Sequence, residues 1–585
     1  MVVSFSDIQL IRLPATECFR FATTTISLPL GLAYISSSLK EHGLKVDVLD
    51  AVGEAPKNRT GYIKGYLIGL SLKEIVEKIN PNVLAIGISV IFTHEWPMAV
   101  KLLSLIKEKF PNIPIILGGE HISAMPEFCL NTSCADYVVM GEGEETIIEL
   151  MNAIKNKKTF QEIEGIGYRI NNQVVINNRR NRQRSIDKIP YPDWDSFDVK
   201  GYHENRFVGG MYSDGLTIPI LATRGCPYQC TYCSAPGMWS PLWLPRDPIL
   251  VVDEIEYYVK KFGATNFPFQ DLTAIIKRDW IKTFCEELIK KDLNITWQLP
   301  SGTRSEAIDS EIAFLLKKSG MISMAYAPES GSEETRKYIK KHMKTDRLFD
   351  SIDAASQADL NVAVFLVIGF PHDLPKHLEE NKNFVKRLAK HGVTDLSVGY
   401  YMALPGTELF YSLYDANKIK LDIKWCKHIL DSLSLFPTQN HCTAISSMNL
   451  FLWKIKFYLG FYKSKKSKNG TSGLLGSVKV VLNGLFSSEG HDSKLQTAFQ
   501  TAFTSLIDTI KSTRRRWISK KEEVNLVKEW DNIYRQIRNE KLSKGIDEIS
   551  PTDTRDLYKI NVINRVKKEH ETTWRVNGIE VTPPQ

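Results

Sequence analysis

Three cysteines at close spacing are the residues of this sequence best suited to do chemistry. They lie in the stretch Arg224-Gly225-Cys226-Pro227-Tyr228-Gln229-Cys230-Thr231-Tyr232-Cys233, with three residues and then two between them. Thiolates are soft ligands, so three of them on one loop suit a cluster of soft metal ions. A [4Fe–4S] cluster normally takes four thiolates, and a set of three would leave one iron open for another ligand.

Two other uses of these cysteines fit the sequence less well. A disulfide framework is disfavoured because the number of cysteines is odd, the chain is long and no signal peptide is recognisable. A structural zinc site usually has four protein ligands in two spaced pairs. The six other cysteines are instead scattered, at Cys18, Cys129, Cys134, Cys285, Cys426 and Cys442.

The cysteine spacing, with the aromatic Tyr232 before the last cysteine, resembles the radical S-adenosylmethionine (SAM) superfamily. The resemblance implies that Cys226, Cys230 and Cys233 hold a [4Fe–4S] cluster. It also implies that the amino and carboxylate groups of SAM bind the open iron. Such a protein would take its electron from an external donor of the flavodoxin or ferredoxin type.

Alternating strand-like and helix-like segments in residues 1–184 predict an α/β fold with a doubly wound, Rossmann-like parallel sheet. Ligands of such sheets bind beyond the carboxyl ends of the strands, where this sequence places Ser89 and two glycine-bearing loops. Each loop taken alone is equally well explained as a tight turn. The loops are Gly118-Gly119-Glu120-His121 and Gly141-Glu142-Gly143-Glu144, and the predicted strands are Ile8–Leu13, Val46–Leu49, Val83–Ser89, Ile115–Leu117 and Tyr137–Met140.

Together these pieces, with Pro29-Leu30-Gly31-Leu32-Ala33-Tyr34, resemble the cobalamin-binding domain of cobalamin-dependent radical SAM enzymes. The Asp-x-His-x-x-Gly signature that supplies a lower histidine ligand to cobalt is absent. His121 is therefore expected to be a hydrogen-bonding residue and not a cobalt ligand. The resemblance implies cobalamin contacts from Ser89, Gly118, Gly119, Glu120, His121, Gly141, Glu142, Gly143 and Glu144.

A connector, residues 185–205, shows no helical or strand period and leads into six strand-plus-helix units in residues 206–430. Such units predict a partial (β/α)6 TIM-like barrel whose strand ends share one mouth. The predicted strands are Ile218–Thr223, Asn266–Gln270, Ile295–Leu299, Ile322–Tyr326, Val362–Ile368 and Leu396–Tyr401.

Residues at the ends of these barrel strands match the places where the radical SAM family contacts SAM. Arg304 suits the SAM carboxylate or a substrate anion, because a guanidinium binds carboxylate bidentately. A surface salt bridge explains Arg304 equally well. The resemblance implies SAM contacts from Tyr232, Arg304, Glu329, Ser330, Gly331 and Gly369.

Residues 431–585 are predicted to be mainly helical, with helical spacing over Gln496–Ile510 before Arg514-Arg515-Arg516. The basic, aromatic segment around Trp453–Tyr462 favours a solvated face, with a membrane-surface helix as the lesser alternative.

The sequence contains no apolar run of about 18 residues, so no transmembrane helix is predicted. A net charge of +8 does not demand nucleic acid. A cytoplasmic location is expected, since an exposed cluster would be oxidised elsewhere.

The resemblance implies a C-methyltransferase acting on an unactivated carbon through a 5′-deoxyadenosyl radical and methylcobalamin. Its substrate would be a small molecule, a lipid or a peptide. Ring formation, ring contraction or oxidation with the same cofactors is the first alternative. A transfer-RNA methylthiotransferase would require three more cysteines in the first domain. Cys18, Cys129 and Cys134 do not resemble that arrangement. A non-catalytic iron–sulfur protein would leave the converging strand ends unexplained.

Overall fold

The computed structural model describes residues 5–18, 26–62, 65–170, 173–431, 436–437 and 439–465, with short pieces between 525 and 536 and between 574 and 581. The predicted helix Gln496–Ile510 and Arg514-Arg515-Arg516 lie outside the described residues. The domain bounds at residues 184, 205 and 430 stay predictions.

Strands and helices alternate in the N-terminal part of the chain, as predicted. The strands are β1 (Ser6–Arg12), β2 (Ala15–Cys18), β3 (Val46–Asp50), β4 (Arg59–Tyr62), β5 (Gly65–Ile68), β6 (Val83–Ser89), β7 (Ile115–Gly118), β8 (Tyr137–Val139), β9 (Ile166–Ile170) and β10 (Gln173–Ile176). The helices are α1 (Leu30–Glu41), α2 (Ala51–Glu54), α3 (Leu72–Glu77), α4 (Trp96–Lys109), α5 (Glu120–Ala124), α6 (Pro126–Asn131) and α7 (Glu144–Asn156).

The main N-terminal sheet reverses its strand order at one place. Its order is β10-β9-β8-β7-β6-β1-β3, with the five strands from β8 to β3 parallel and β9 and β10 antiparallel at one edge. The chain builds from β1 to β3 on one side and continues with β6, β7 and β8 on the other. In open α/β sheets, ligands bind at such a switch point, beyond the carboxyl ends of β1 and β6.

Sequence patterns missed the antiparallel strands of this region. β9 and β10 extend the main sheet, while β2, β5 and β4 form a separate three-stranded sheet. Each is only four or five residues long, so its sequence offers too short a pattern to mark a strand. Apolar residues at helical spacing over Leu30–Glu41 predict a helix, and α1 has these bounds, with Gly43 after it at a left-handed φ of +76°.

The connector is more regular than its sequence predicted. It contains two 3₁₀ turns, Ile186–Lys188 and Trp194–Ser196, and the helix α8 (Val199–Glu204). The Asp198 carboxylate accepts a hydrogen bond from the Gly201 N–H at 2.9 Å and so caps this helix. Asp198 is the sequence signal for the start of α8, and an interpretation based only on periodicity does not use it.

An open parallel barrel follows the connector. After β11 (Thr223–Arg224) and β12 (Leu244–Pro245), which form a separate antiparallel pair, its strands are β13 (Asn266–Pro268), β14 (Thr296–Thr303), β15 (Met321–Glu329), β16 (Asn361–Ile368) and β17 (Asp395–Tyr400). Its helices are α9 (Ala235–Trp239), α10 (Pro248–Phe262), α11 (Arg278–Lys291), α12 (Ser310–Lys318), α13 (Glu333–Tyr338), α14 (Thr345–Gln357), α15 (Pro375–Lys390), α16 (Glu408–Asp415) and α17 (Ile423–Asp431).

The barrel sheet runs in sequence order from β13 to β17, all parallel. The predicted first strand, Ile218–Thr223, lies beside β13 only through isolated bridges that join Thr217 to Asn266 and Ile220 to Phe269. Pro219 has no N–H to donate, which suits a segment at the edge of the sheet. The predicted six-unit barrel is therefore confirmed, with its first strand reduced to an edge segment.

Buried aromatic rings fill the barrel behind the first strands. Phe269, Phe284 and Trp297 pack with ring centroids 5.2 to 5.6 Å apart. Burial of such large rings is a main source of hydrophobic stabilisation. This aromatic cluster thus supports the strands that carry the strand-end loops.

The helix α18 (Ser447–Ser464) follows the barrel and packs against α15, and a hairpin of β18 (Trp574–Val576) and β19 (Ile579–Val581) is the last described element. Within the described parts of the chain, every helix is too short or too polar to cross a bilayer.

Candidate active site at the domain interface

The cysteine loop leaves the first barrel segment through a turn that requires glycine. Gly225 has φ +85°, and a Cβ there would lie 2.2 Å from the carbonyl oxygen of Leu242. Just before it, the buried Asp271 carboxylate accepts hydrogen bonds from the Thr223 N–H at 2.5 Å and the Thr223 hydroxyl at 2.6 Å. Asp271 therefore braces the start of the loop.

The cysteine loop is also tied to two other strand ends. The Thr231 N–H donates to the Ile339 carbonyl, and the Leu409 N–H donates to the Thr231 carbonyl. Ile339 and Leu409 follow strands β15 and β17 in the chain. The middle of the loop is therefore held by the end of α13 and the start of α16, two helices that follow barrel strands.

The three thiols are partly exposed and close enough to influence one another. Burial, with a smaller effect of Cys230 and Cys226, raises the pKa of Cys233 to about 12. The Lys341 ammonium acts in the opposite direction on all three thiols, so it too is nearby. Bound iron would hold the thiols as thiolates. The donor set of one short loop therefore fits a cluster with three protein ligands.

Glu329 connects this loop with Lys341. The Tyr232 hydroxyl donates to Glu329 Oε1 at 2.7 Å, and Lys341 Nζ lies 3.2 Å from the same oxygen. Glu329 ends β15 with φ +63°, a conformation that costs energy for a residue with a side chain. Backbone strain at a buried carboxylate beside cysteines that are predicted to bind metal is typical of a ligand-binding position.

The residues after Glu329 are fixed from helix α15. Asn381 Oδ1 accepts hydrogen bonds from the Ser330 hydroxyl at 3.1 Å and from the Gly331 N–H at 2.5 Å. In the next loop, the Gly369 N–H donates to buried Asp373 at 2.9 Å. These bonds position the backbone of both loops, and SAM contacts by Ser330, Gly331 and Gly369 stay a prediction.

Arg304 lies beside the cysteine loop but already has partners. Its guanidinium pairs with Glu306 at 2.7 Å and lies 4.0 Å from the ring centroid of Tyr228. The ion pair is the alternative that the sequence left open for this residue. Glu306 bonds to Nε and Nη2 of Arg304, so a SAM carboxylate would have to share this guanidinium with Glu306 or displace it.

Lys341 and the arginine partners described below are the site residues that sequence reasoning missed. Lys341 lies in the run Lys340-Lys341-His342-Met343-Lys344, in which no spacing singles out one lysine. Its place beside Glu329 depends on the fold of the barrel edge, and the local sequence holds no signal for it.

A cavity of about 500 Å³ opens where the two halves of the chain meet. It lies at the switch point of the main sheet, since Arg12 and Ser89 at the ends of β1 and β6 both line it. The barrel contributes Gln270 and Leu404 to the opposite wall. A mostly apolar lining with a few polar groups suits a large flat cofactor, so the residues present fit cobalamin.

Three of the predicted cobalamin residues, Ser89, Glu120 and His121, line the cavity. Glu120 accepts a hydrogen bond from Ser234, the residue that follows the last cysteine of the loop. Gly119 has φ +114°, and a Cβ there would lie 2.3 Å from the Val90 carbonyl, so the tight turn requires glycine. The predicted residues that do not line the cavity are Gly118, Gly119, Gly141, Glu142, Gly143 and Glu144.

His121 is a buried, neutral imidazole. Its Nδ1 lies 3.1 Å from the Thr93 hydroxyl, and its Nε2 is buried without a hydrogen-bond partner. Burial, with a smaller effect of His94, lowers the pKa of His121 to about 3. The Thr93 contact agrees with the hydrogen-bonding role expected for this histidine.

Replacement of His121 with alanine should leave the coordination of bound cobalt unchanged, because the cobalt-ligand signature is absent from the sequence. Electron paramagnetic resonance of the cobalt(II) form checks this through nitrogen splitting from an axial ligand. His94→Ala, at the other histidine of the cavity lining, is the matched comparison. A histidine nitrogen signal that vanishes only in His121→Ala would refute the expectation.

Glu142 and Glu144 form ion pairs across the domain interface. Arg224 Nη1 lies 3.2 Å from Glu142, and Arg224 Nη2 lies 2.6 Å from Glu144. Arg182 Nε lies 2.9 Å from Glu142. All four side chains are at most 13% exposed. With both carboxylates engaged by arginines, any cobalamin contact of this loop falls to its backbone. We name these residues the Arg–Glu quartet.

The quartet couples the first domain to the cysteine loop. Arg224 comes directly before Gly225 and Cys226, and its guanidinium also lies 5.1 Å from the ring centroid of Tyr34 in α1. Arg182 donates to the carbonyls of Trp239 at 2.5 Å and Leu242 at 2.9 Å. The start of the cysteine loop is thus held from the glycine loop before α7.

Arg224→Met should lower the free energy of unfolding by about 3–5 kcal/mol, because it leaves the buried Glu144 carboxylate without its arginine and Glu142 with Arg182 alone. Urea denaturation measures this change, and the iron content after reconstitution should fall with it. Arg180→Met is the matched control, since its partners Glu145 and Glu149 are 49% and 47% exposed. That exposed pair should contribute about 0–1 kcal/mol. Equal losses in the two variants would contradict the role of Arg224.

Two family models match this chain in separate regions. The B12 binding domain matches residues 22–151, and the radical SAM superfamily matches residues 220–385. The first match contains Ser89, Glu120 and His121 of the cavity lining, and the second contains the cysteine loop. Together they span about half of the chain.

Curated relatives differ in the reactions their names give. An uncharacterized methyltransferase of Pyrococcus horikoshii is 25% identical over 78% of this chain and 93% of its own length. Cytidylyl-2-hydroxyethylphosphonate methyltransferase of Streptomyces wedmorensis is 28% identical over 61% of this chain and 72% of its own. Anaerobic magnesium-protoporphyrin IX monomethyl ester cyclase of Synechocystis is 28% identical over 54% of this chain and 60% of its own.

Solved structures share the fold. The radical SAM methyltransferase TsrM from Kitasatospora setae, with cobalamin and a [4Fe–4S] cluster bound, has a TM-score of 0.61 at 14% identity over 86% of this chain and 100% of its own. The cobalamin-dependent radical SAM enzyme OxsB, with aqua-cobalamin and SAM bound, has a TM-score of 0.58 at 16% identity over 91% of this chain and 84% of its own.

Proposed function

Because this chain belongs to the cobalamin-dependent radical SAM enzymes and uses cobalamin, SAM and a [4Fe–4S] cluster, we propose that it is a C-methyltransferase acting on an unactivated carbon. The observation that carries the proposal is the cavity between the two halves of the chain. Its lining joins Ser89 and Glu120 of the sheet to Ser234 and Gln270 of the barrel. Ser234 directly follows Cys233, so a radical source at the cysteine loop would lie beside the space that holds the methyl carrier and the substrate.

The chain's own residues prepare this space. When bound, the cluster and SAM supply the radical that removes hydrogen from the substrate carbon, and cobalamin supplies the methyl group. Cys226, Cys230 and Cys233 would hold the cluster. Glu329, kept in place by Tyr232 and Lys341, presents a buried carboxylate suited to the SAM amino group or ribose.

Exclusion of water is the second task of the protein. The cavity is closed on several sides by apolar side chains, among them Leu28, Leu32 and Leu404. A substrate radical formed there is shielded from competing hydrogen donors until the methyl group arrives. The substrate class we propose is a small molecule, a lipid or a peptide, with an electron donor of the flavodoxin or ferredoxin type.

A cyclase or oxidase reaction is the second candidate. It is favoured by the match to the Synechocystis cyclase, at the same 28% identity as the Streptomyces methyltransferase. The two reactions need the same cofactors, and no residue in the described cavity distinguishes them. They differ in what becomes of the SAM methyl group.

Anaerobic turnover with SAM that carries a deuterated methyl group tests the proposal. The reconstituted chain is incubated with reductant, cobalamin and an extract of small molecules and lipids from cells that express it. A methyltransferase should place the labelled methyl group in a product and form S-adenosylhomocysteine together with 5′-deoxyadenosine. Product formation with 5′-deoxyadenosine alone and no label would favour the cyclase or oxidase reaction instead.

A further inference from the structure

Helix α18 packs one apolar face against the barrel. Leu450, Phe457 and Phe461 are buried, and so is Lys454, whose ammonium lies 4.6 Å from the ring centroid of Tyr400. The helix contacts α15 and β17 along this face. These contacts fix which side of the helix faces away from the barrel.

The opposite side of α18 is also apolar, and it is exposed. Met448, Leu452 and Leu459 are 54%, 44% and 43% exposed, and Ile455 lies between them. Steps of four, three and four residues place these side chains in one line along a helix. At about 100° per residue this line lies roughly opposite the buried face. We name these four residues the outer stripe.

The flanks of the outer stripe differ in charge. Lys456 and Lys463 are exposed along one side. On the other side Phe451 packs against the exposed Phe436, with ring centroids 5.5 Å apart. Residues 447–468 contain six lysines and no aspartate or glutamate. An apolar line is thus bordered by positive charge and aromatic rings.

We infer that the outer stripe docks α18 on an anionic lipid surface, with the helix lying in the plane of the interface. Helices that bind membranes in this way combine an apolar face with lysines that meet anionic headgroups and with aromatic rings at the boundary. A protein partner is less well matched, because lysine is depleted at the core of protein interfaces. This inference does not depend on the proposed methyl transfer.

Docking would bring the barrel mouth towards the lipid. Leu450 at the start of α18 lies against Gly369, since a Cβ on that glycine would be 3.0 Å from Leu450 Cδ1. Gly369 follows β16 at the edge that carries the predicted SAM loops. The first turn of the docked helix is therefore next to the mouth.

Sedimentation of the reconstituted full chain with vesicles tests the inference. The wild type should bind vesicles that contain phosphatidylglycerol, and should bind phosphatidylcholine vesicles at least about tenfold more weakly. The double variant Leu452→Glu/Leu459→Glu should lose binding by a similar factor. Lys456→Gln/Lys463→Gln should weaken binding to the anionic vesicles and reduce its dependence on salt.

The control is Ile249→Glu/Phe314→Glu, which changes two exposed apolar residues of α10 and α12 that are 45% and 63% exposed. It should bind vesicles like the wild type, and all variants should keep the wild-type iron content. Absence of wild-type binding, or equal binding by Leu452→Glu/Leu459→Glu, would overturn the inference. So would a wild-type dimer that this variant dissociates, or protection of Leu452→Cys from maleimide without lipid, because another protein surface would then cover the stripe.

Discussion

Combined replacement of Cys226, Cys230 and Cys233 with alanine should leave a protein that cannot hold iron or show visible cluster absorbance after anaerobic reconstitution. The three thiols are the only cysteines of the described chain that share one loop, and they lie beside the same lysine. Removing all three removes every thiolate ligand we assign. Cleavage of SAM should stop with the loss of the cluster.

The matched control is Cys134→Ala, a partly exposed cysteine outside the loop. It should keep wild-type iron and absorbance, since it takes no part in the site. The triple variant should still bind cobalamin, because Ser89, Glu120 and His121 belong to the other half of the chain. Four irons per chain in the triple variant would refute the assignment of these three cysteines as the cluster ligands.

Protein prepared without cobalamin should cleave SAM slowly and methylate nothing. Tyr232, Glu329 and Lys341 all lie in the barrel, and their mutual contacts involve no residue of the cavity lining. The methyl carrier, by contrast, is proposed to sit on the sheet side. Liquid chromatography with mass spectrometry measures 5′-deoxyadenosine and the methylated product in the same reaction.

Addition of cobalamin to the same preparation is the internal control, and it should restore methylation in proportion to the cobalamin bound. Full methylation by the cobalamin-free protein would leave the first domain with a structural role only. The proposed function would then have to be abandoned. Loss of SAM cleavage as well would show instead that the barrel site needs the filled cavity for its own geometry.

Local sequence predicted the framework well, because apolar runs and caps act over short distances. Val83–Ser89 has the bounds that its apolar run predicted. Convergence of strand ends followed from the topology of parallel units, since carboxyl ends of such strands share one edge. The cysteine motif could be recognised from the spacing of its three cysteines alone.

Partners of charged residues were beyond local sequence. Glu142 and Glu144 lie 82 and 80 residues from Arg224, and nothing near them announces an arginine. The loop Gly141–Glu144 was therefore predicted to contact cobalamin from its sequence alone, which gave no sign that both of its carboxylates pair with Arg224. Lys341 was missed for the same reason, because its role depends on a strand end folded beside it.

The Arg–Glu quartet bears on how substrate can enter. Two carboxylates and two guanidiniums carry no net charge together, and their planar, forked geometry resists rotation more than an apolar contact of similar size would. A buried polar contact of this kind specifies orientation better than it adds affinity. We therefore expect the quartet to favour one relative orientation of the two halves of the chain. Substrate would then enter the cavity through movement of the loops at its rim. The rate of turnover would depend on the opening of these loops and not on relative motion of the two halves.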